Sequence, residues 1–252
     1  MCGGNRFGLA AIIGGLFCLL GWLIASSPAV GDDANASRTL KRQPENQTAN
    51  SSTDAASEPQ KSGEMRRNDN GAISLSGKGR QATEKFRLEP GICLFDISHD
   101  GDSNLVIKLL DINGRVIDTV FNQVGAFNGE RAINISTGGE CLLDVEADGN
   151  WKANIRQPRS MESRQMVPCT FEGNGFKTSP SIQLERGLAE FKMKHDGQQR
   201  FKVVLLDQNG RPVEYLANTI GAYDGSKPIS IQEPGIYFLN VTADGNWTVD
   251  VK

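Results

Sequence analysis

Residues 77–252 contain the same sequence unit twice. Residues 77–156 align without a gap on residues 173–252 at a constant offset of 96 positions, and 29 of the 80 pairs are identical. Self-similarity at one fixed period is the signature of a duplicated structural unit. We therefore predict two homologous domains, at 71–157 and 168–252, joined by a linker at 158–167.

Within each copy, the apolar residues have the spacing of short strands. Residues 201–206 (FKVVLL) form a β-rich run that precedes Asn-Gly at 209–210, a preferred pair for tight hairpin turns. In residues 237–242 the side chains of Tyr237, Leu239 and Val241 fall on one face, and Trp151 and Trp247 begin similar alternations that place both rings in a core. The 28 glycines and the scarcity of helical periodicity favour turns and strands. The predicted fold class is all-β, with two tandem β-sandwich domains of jelly-roll or immunoglobulin-like type.

The N-terminal region has the pattern of a targeting segment. Residues 7–25 carry no charge, and Arg6 precedes them. The run is near the length of a bilayer-spanning helix, but small residues at 29–31 also suit a cleavage site. Residues 1–31 are therefore predicted to be either a signal peptide or a membrane anchor, and lipid attachment at Cys18 is disfavoured by Phe17 before it. The polar tract 32–70 predicts a disordered linker, because it has too few apolar residues to form a core.

Three motifs of each copy resemble a known group of modules. They are Gly-x-Gly at 77–79, Leu-Leu-Asp-x-Asn-Gly at 109–114 and Ala-Asp-Gly-Asn-Trp at 147–151. Together they resemble the small β-sandwich modules of secreted bacterial proteins, in particular pre-peptidase C-terminal-type domains. Such domains sit beside catalytic domains and mediate binding or maturation. The resemblance implies a β-sandwich with a binding role.

Cys93 and Cys141 are both predicted to face the core of the first copy. Cys93 alternates with core-type residues at 95 and 97, and Cys141 with those at 143 and 145. Their counterparts, Ala189 and Tyr237, are one small and one large residue, which suggests that the two positions are neighbours. In an oxidising compartment they would form a disulfide. The alternative is two buried free thiols.

The two histidines of the chain, His99 and His195, occupy equivalent positions. With Asp100 and Asp196 they are weak candidates for metal ligands, because one imidazole and one or two carboxylates make a thin ligand set. The favoured alternative is that these side chains satisfy backbone groups of a turn. The Asp-x-Asn-Gly segments at 111–114 and 207–210 lack the rest of a calcium loop and are interpreted as hairpin turns. We predict no metal and no cofactor.

Phe127 with Asn128, and Tyr223 with Asp224, are the candidate ligand-binding residues. Each pair lies in a segment bounded by glycines, at 125–129 and 221–225. An exposed ring beside a polar side chain suits the recognition of a sugar or a peptide. The alternative is that each ring folds back and plugs the end of its sandwich.

Charge and motif content narrow the function. The net charge is −3 and no basic stripe is present, which argues against a nucleic-acid partner. No nucleophile with a base, phosphate loop or metal-hydrolase motif is found, so we predict that the chain is not an enzyme.

We predict an exported, non-catalytic binding or scaffolding protein of the periplasm or cell surface, secreted or held to the membrane by its N-terminal helix. Two alternatives remain open, a pair of carbohydrate-binding modules and an accessory subunit of an envelope enzyme complex. The partner would be an envelope protein or a glycan, and two copies would suit a repetitive target.

Overall fold

All regular secondary structure in the described part of the chain is β-strand. The computed structural model describes residues 64–67, 71–158 and 164–252, and the predictions made above for residues 1–63 lie outside these ranges. Copy 1 contains β1 (Glu64–Arg67), β2 (Ile73–Lys78), β3 (Gln81–Ala82), β4 (Phe86–Leu88), β5 (Gly91–His99), β6 (Asn104–Asp111), β7 (Val116–Val124), β8 (Phe127–Ile135), β9 (Gly139–Glu146) and β10 (Asn150–Arg156). Copy 2 contains β11 (Gln165–Met166), β12 (Cys169–Asn174), β13 (Lys177–Thr178), β14 (Ile182–Leu184), β15 (Gly187–His195), β16 (Arg200–Asp207), β17 (Pro212–Ile220), β18 (Tyr223–Ile231), β19 (Gly235–Thr242) and β20 (Asn246–Val251). Within the described ranges, no helix has the length and apolar character needed to cross a bilayer.

Each copy is a sandwich of two sheets with the strand order of a jelly roll. In copy 1 one sheet has the order β1-β2-β10-β5-β8, and the other has β9-β6-β7 with β3 and β4 both paired to β9. Copy 2 repeats this order as β12-β20-β15-β18 and β14-β19-β16-β17, with β13 also on β19. Hydrogen-bonded neighbours such as β2 and β10 are far apart in sequence, as two nested Greek keys require. Of the two sandwich types predicted, the structure is the jelly roll.

The two copies have separate cores, and each is centred on one tryptophan. Trp151 is 1 % exposed and Trp247 is 2 % exposed, which confirms their predicted place in the core. The indole Nε1–H of Trp151 donates to the carbonyl oxygen of Gly79 at 3.2 Å. A Cβ atom on Gly77 would lie 2.6 Å from the Trp151 ring. The Gly-x-Gly motif is therefore explained by the tryptophan: one glycine gives the ring room, and the other supplies its acceptor.

Two short strands lie within the ranges that were predicted as linkers. Residues 64–67 form β1 and pair antiparallel with β2, and the partly buried Met65 packs against the core of copy 1. Residues 165–166 form β11, which pairs parallel with β14. The sequence pattern missed β1 because a single apolar residue among polar neighbours leaves no visible alternation.

The two copies meet through different faces. An apolar cluster joins the outer face of β5 and β8 in copy 1 to the outer face of β16 and β19 in copy 2; we call it the inter-copy cluster, and it consists of Ile92, Leu94, Ala132, Val204, Leu206, Ile236 and Phe238. The Asn240 side chain extends the contact by accepting from the Ala132 N–H and donating to the Ala132 carbonyl, both at 3.3 Å. Because one copy uses its β5–β8 face and the other its β16–β19 face, the contact is heterologous.

Candidate functional site

Each histidine ties two turns of its own copy together. His99 is buried, and its Nδ1 lies 3.1 Å from the carbonyl oxygen of Gly125. A carbonyl oxygen can only accept, so Nδ1 carries a hydrogen. Its Nε2 lies 3.2 Å from Oδ1 of Asp148. His195 makes the same contacts in copy 2, with Gly221 at 3.0 Å and Asp244 at 3.3 Å. We call each arrangement a histidine clasp.

The two rings differ in one further contact. In copy 1 the N–H of Gly149 donates to Nε2 of His99 at 3.4 Å. In copy 2 no backbone N–H of the described residues donates to the buried Nε2 of His195.

The aspartates of the histidine clasps are held by backbone groups. Burial opposes the ionisation of Asp148, but the N–H groups of Ser103 and Asp102 donate to its Oδ2 at 3.0 and 3.1 Å and hold its pKa below the usual range. The pKa of Asp100 is also lowered, first by the hydrogen bond from the Asn150 side chain and then by that from the Asn150 backbone. These carboxylates are engaged within the fold.

The contacts of the histidines and aspartates show how the weak candidates for metal ligands are engaged. His99 and Asp100 are adjacent in sequence but are held by different partners: His99 contacts Gly125 and Asp148, whereas Asp100 accepts from Asn150. His195 and Asp196 repeat these contacts in copy 2. Among the described residues, no group of three or more His, Cys, Asp or Glu side chains is placed to hold a metal ion. The hairpin interpretation of residues 111–114 agrees with the structure, since Asp111 Oδ1 accepts from the N–H groups of Asn113 and Arg115 at 2.8 and 2.9 Å.

Tyr223 and Asp224 line an open cleft at one end of copy 2. The cleft, which we call the Tyr223 cleft, has a volume of about 600 Å³ and lies where β15, β18 and β20 meet. Cross-strand register places Thr248, Lys194 and Asp224 side by side on the outer face. Lys194 Nζ lies 3.3 Å from Asp224 Oδ2, and both side chains are more than half exposed. The cleft thus lies around the strand ends, with the partly exposed Tyr223 ring packed on the core side and the exposed side chains of Lys194 and Asp224 on the outer side.

The equivalent end of copy 1 is closed. Phe176, from the turn after β12 of copy 2, packs edge-on against Phe127 with ring centroids 5.3 Å apart. The Phe176 carbonyl also accepts from the N–H of Glu130 at 2.9 Å. Phe121 completes the aromatic cluster, 4.8 Å from Phe127. Phe127 is thus partly buried in an aromatic cluster that includes a residue of copy 2, and its role in ligand binding stays a prediction.

The cysteines of copy 1 are free thiols, which is the second of the two alternatives. Cys93 and Cys141 are both buried and no disulfide joins them. Sγ of Cys141 lies 3.5 Å from the carbonyl oxygen of Phe86 on β4. The pKa of the Cys93 thiol is raised by burial and then by the neighbouring Cys141. The two positions are thus neighbours, as the residue swap between the copies suggested.

Sequence reasoning missed two residues at these ends. Lys194 lies next to His195 in sequence, but only the strand register shows that it lies beside Asp224. Periodicity alone does not give that register. Phe176 occupies the position of Arg80 in copy 1. An aromatic residue that replaces a charged one at a turn was the available signal.

Comparisons with known proteins give distant similarities only. No protein-family model matches the chain, and no curated protein sequence matches it. Among solved structures, it is similar to the N-terminal CBM22-1–CBM22-2 tandem domain of Paenibacillus barcinonensis Xyn10C, at 11 % identity, with 76 % of this chain and 92 % of that chain covered and a TM-score of 0.25. It is also similar to the M60 catalytic domain with CBM51-1 and CBM51-2 of Clostridium perfringens ZmpB, at 7 % identity, with 71 % and 34 % covered and a TM-score of 0.26.

A third similarity is to an f-lectin (fucolectin) from striped bass, Morone saxatilis, serum, at 11 % identity, with 71 % of this chain and 84 % of that chain covered and a TM-score of 0.20. At these scores the similarities support no conclusion about the ligand. The all-β, multi-sheet fold rests on the strands themselves. The resemblance to pre-peptidase C-terminal-type domains gains no support from any family model.

Proposed function

We propose that the chain is a non-catalytic binding protein that holds a saccharide in the Tyr223 cleft of copy 2. The observation that carries the proposal is the combination, in one open cleft, of a partly exposed tyrosine ring with hydroxyl, amine and carboxylate groups. Sugars present both an apolar face, which stacks on an aromatic ring, and hydroxyl groups, which need donors and acceptors nearby.

The polar groups of the cleft suit this role because solvent competes for them. Lys194 and Asp224 are paired on the surface, where an ion pair is weak and easily exchanged for other hydrogen bonds. A bound hydroxyl group would donate to the Asp224 carboxylate and accept from the Lys194 ammonium. The Tyr223 ring is supported from beneath by Phe201, with centroids 5.7 Å apart, so its position is set before a ligand arrives.

We further propose that the protein works outside the cytoplasm, at the cell envelope. The uncharged run at residues 7–25 supports export, and the polar tract that follows would serve as a spacer. Each chain would offer one saccharide site, because Phe176 packs on Phe127, the ring of copy 1 that is equivalent to Tyr223.

A glycan array with the full-length chain tests the proposal. Tyr223→Ala should weaken binding about tenfold or more, because an aromatic contact at the centre of a site contributes at least about 1–2 kcal/mol. Phe127→Ala is the matched control and should leave glycan binding unchanged, since that ring is covered. An array without any bound glycan, or equal losses in both variants, would refute the saccharide site.

A further inference from the structure

A second cleft lies between the two copies, away from the Tyr223 cleft. It has a volume of about 460 Å³, and both copies contribute side chains to its wall. Copy 1 supplies residues 118–123 of β7 and 131–134 of β8, and copy 2 supplies residues from β16, β17 and β19. The inter-copy cluster forms part of its floor through Val204 and Leu206.

Three cations line this cleft. Arg131 from copy 1 meets Arg200 and Lys202 from copy 2. Among the described residues of the wall, the one carboxylate is Asp118, whose Oδ1 lies 3.6 Å from an Arg131 nitrogen. The wall therefore carries two more positive than negative charges.

Neutral groups fix the positions of these cations. Arg131 donates to the carbonyl oxygens of Thr119 and Val120 at 2.7 and 2.9 Å. The Lys202 Nζ lies 5.3 Å from the centroid of the Tyr215 ring, in the geometry of a cation–π contact. None of these partners neutralises charge, so the excess remains available to a ligand.

The excess charge is unfavourable for the empty cleft. The pKa of Lys202 is lowered by burial and then by the nearby Arg131 and Arg200, which is the expected response of a cation that lacks a counter-charge. The fold does not need Arg200 and Lys202, because the matching positions of copy 1 hold Asn104 and Val106. Arg131 differs, since its counterpart Lys227 makes the equivalent ion pair and backbone contact in copy 2. Charges that the scaffold can do without, gathered where the copies meet, indicate a recognition site.

We propose that the inter-copy cleft binds an oxyanion, namely a sulfate, phosphate or carboxylate group, through Arg200 and Lys202 of copy 2 and Arg131 of copy 1. Guanidinium and ammonium groups donate charge-assisted hydrogen bonds to such oxygens. The hydroxyl group of Thr242 and the amide of Asn122, which also line the cleft, can complete the shell. The site exists only when both copies are docked, and it is independent of the proposed saccharide site.

An NMR titration of the full-length chain with sodium sulfate, at constant ionic strength against sodium chloride, tests this site. The amide signals of Arg131, Lys202 and Tyr215 should shift and saturate with sulfate but not with chloride. Sodium glucuronate beside uncharged glucose extends the test, because a shift with glucuronate alone identifies a sugar-borne carboxylate as a suitable ligand. A lack of saturable shifts with both sulfate and glucuronate overturns the proposal.

The residues of copy 1 supply the variants. Arg200→Asn with Lys202→Val installs the pair found at positions 104 and 106. It should weaken sulfate binding about tenfold or more, since it removes two of the three cations that donate charge-assisted hydrogen bonds. Lys152→Thr installs the residue of position 248 and removes one exposed charge elsewhere; its affinity should stay within about twofold of wild type. An equal loss in this control overturns the proposal.

The unfolding temperature of the double variant shows whether weaker sulfate binding could come from a damaged fold. Without sulfate, the double variant should unfold at the same or a higher temperature than wild type, because it removes like-charge repulsion. A lower unfolding temperature contradicts the premise that the cations are uncompensated. Tyr223→Ala should bind sulfate normally, which separates this site from the proposed function.

Discussion

Replacing Phe238 by alanine is expected to uncouple the two copies while leaving both cores intact. Phe238 is 5 % exposed and belongs to the inter-copy cluster, whereas its neighbours Tyr237 and Leu239 point into the core of copy 2. Truncating a buried phenylalanine costs about 3–5 kcal/mol, from lost burial and the cavity that remains. Phe238→Leu, which installs the residue of Leu142 in copy 1, should cost less than about 1.5 kcal/mol.

Urea unfolding followed by the indole N–H signals of Trp151 and Trp247 in NMR spectra measures this effect separately in each copy. Each signal reports one core, so neither tryptophan has to be replaced. In the parent chain the two midpoints should coincide, and in Phe238→Ala they should separate. Midpoints that stay coincident and within about 0.5 kcal/mol of the parent, or an equal loss from Phe238→Leu, would refute the role assigned to this ring.

Three further outcomes follow from the histidine clasps and the thiols. Gly197→Ala should destabilise copy 2 by about 1–3 kcal/mol in urea, because its Cβ would overlap Asp244 Oδ1 and His195 Nε2, whereas Gly235→Ala, with open space around it, should change little. Burial opposes the ionisation of Asp244, but backbone N–H groups lower its folded pKa below that of the unfolded chain. The contribution of Asp244 to the free energy of unfolding is therefore complete above about pH 4 and is lost as the pH falls through the folded pKa. Asp244→Asn should flatten this acid limb of a plot of stability against pH. Cys93 and Cys141 should react with a thiol reagent only after unfolding, and a protein two hydrogens lighter with both positions unlabelled would contradict the free thiols.

The sequence predicted what depends on one copy alone. Alternation along residues 237–242 and at the two tryptophans was enough to assign strands and core faces, because Tyr237, Leu239 and Val241 share the face that packs into the core of copy 2. The opposite face of this strand is also buried at Phe238, by the other copy. The duplication located both sandwiches. Burial of the histidines within turns was also within reach, since each begins an Asp-Gly turn that recurs at the same place.

Features that depend on docking of the copies could not be predicted in this way. Phe127 and Tyr223 have nearly identical sequence surroundings, yet one ring is covered by Phe176 and the other lies beside an open cleft. The difference is decided by which outer faces meet, and the local pattern carries no information about that choice. The cationic inter-copy cleft could not be predicted for the same reason, because Arg131 and Arg200 are far apart in sequence and line one cleft only in the folded chain.

The heterologous contact also has a consequence for assembly. A joint between two unlike faces of homologous units could in principle continue from one molecule to the next and grow into a fibre. Three positions of the unused faces are charged where the used faces are apolar: Glu190 corresponds to Leu94, Lys108 to Val204 and Glu140 to Ile236. Adding another unit by the same joint would take these charges out of water, and desolvation opposes burial even where opposite charges meet. The contact that holds the two copies together within one molecule is therefore disfavoured between molecules.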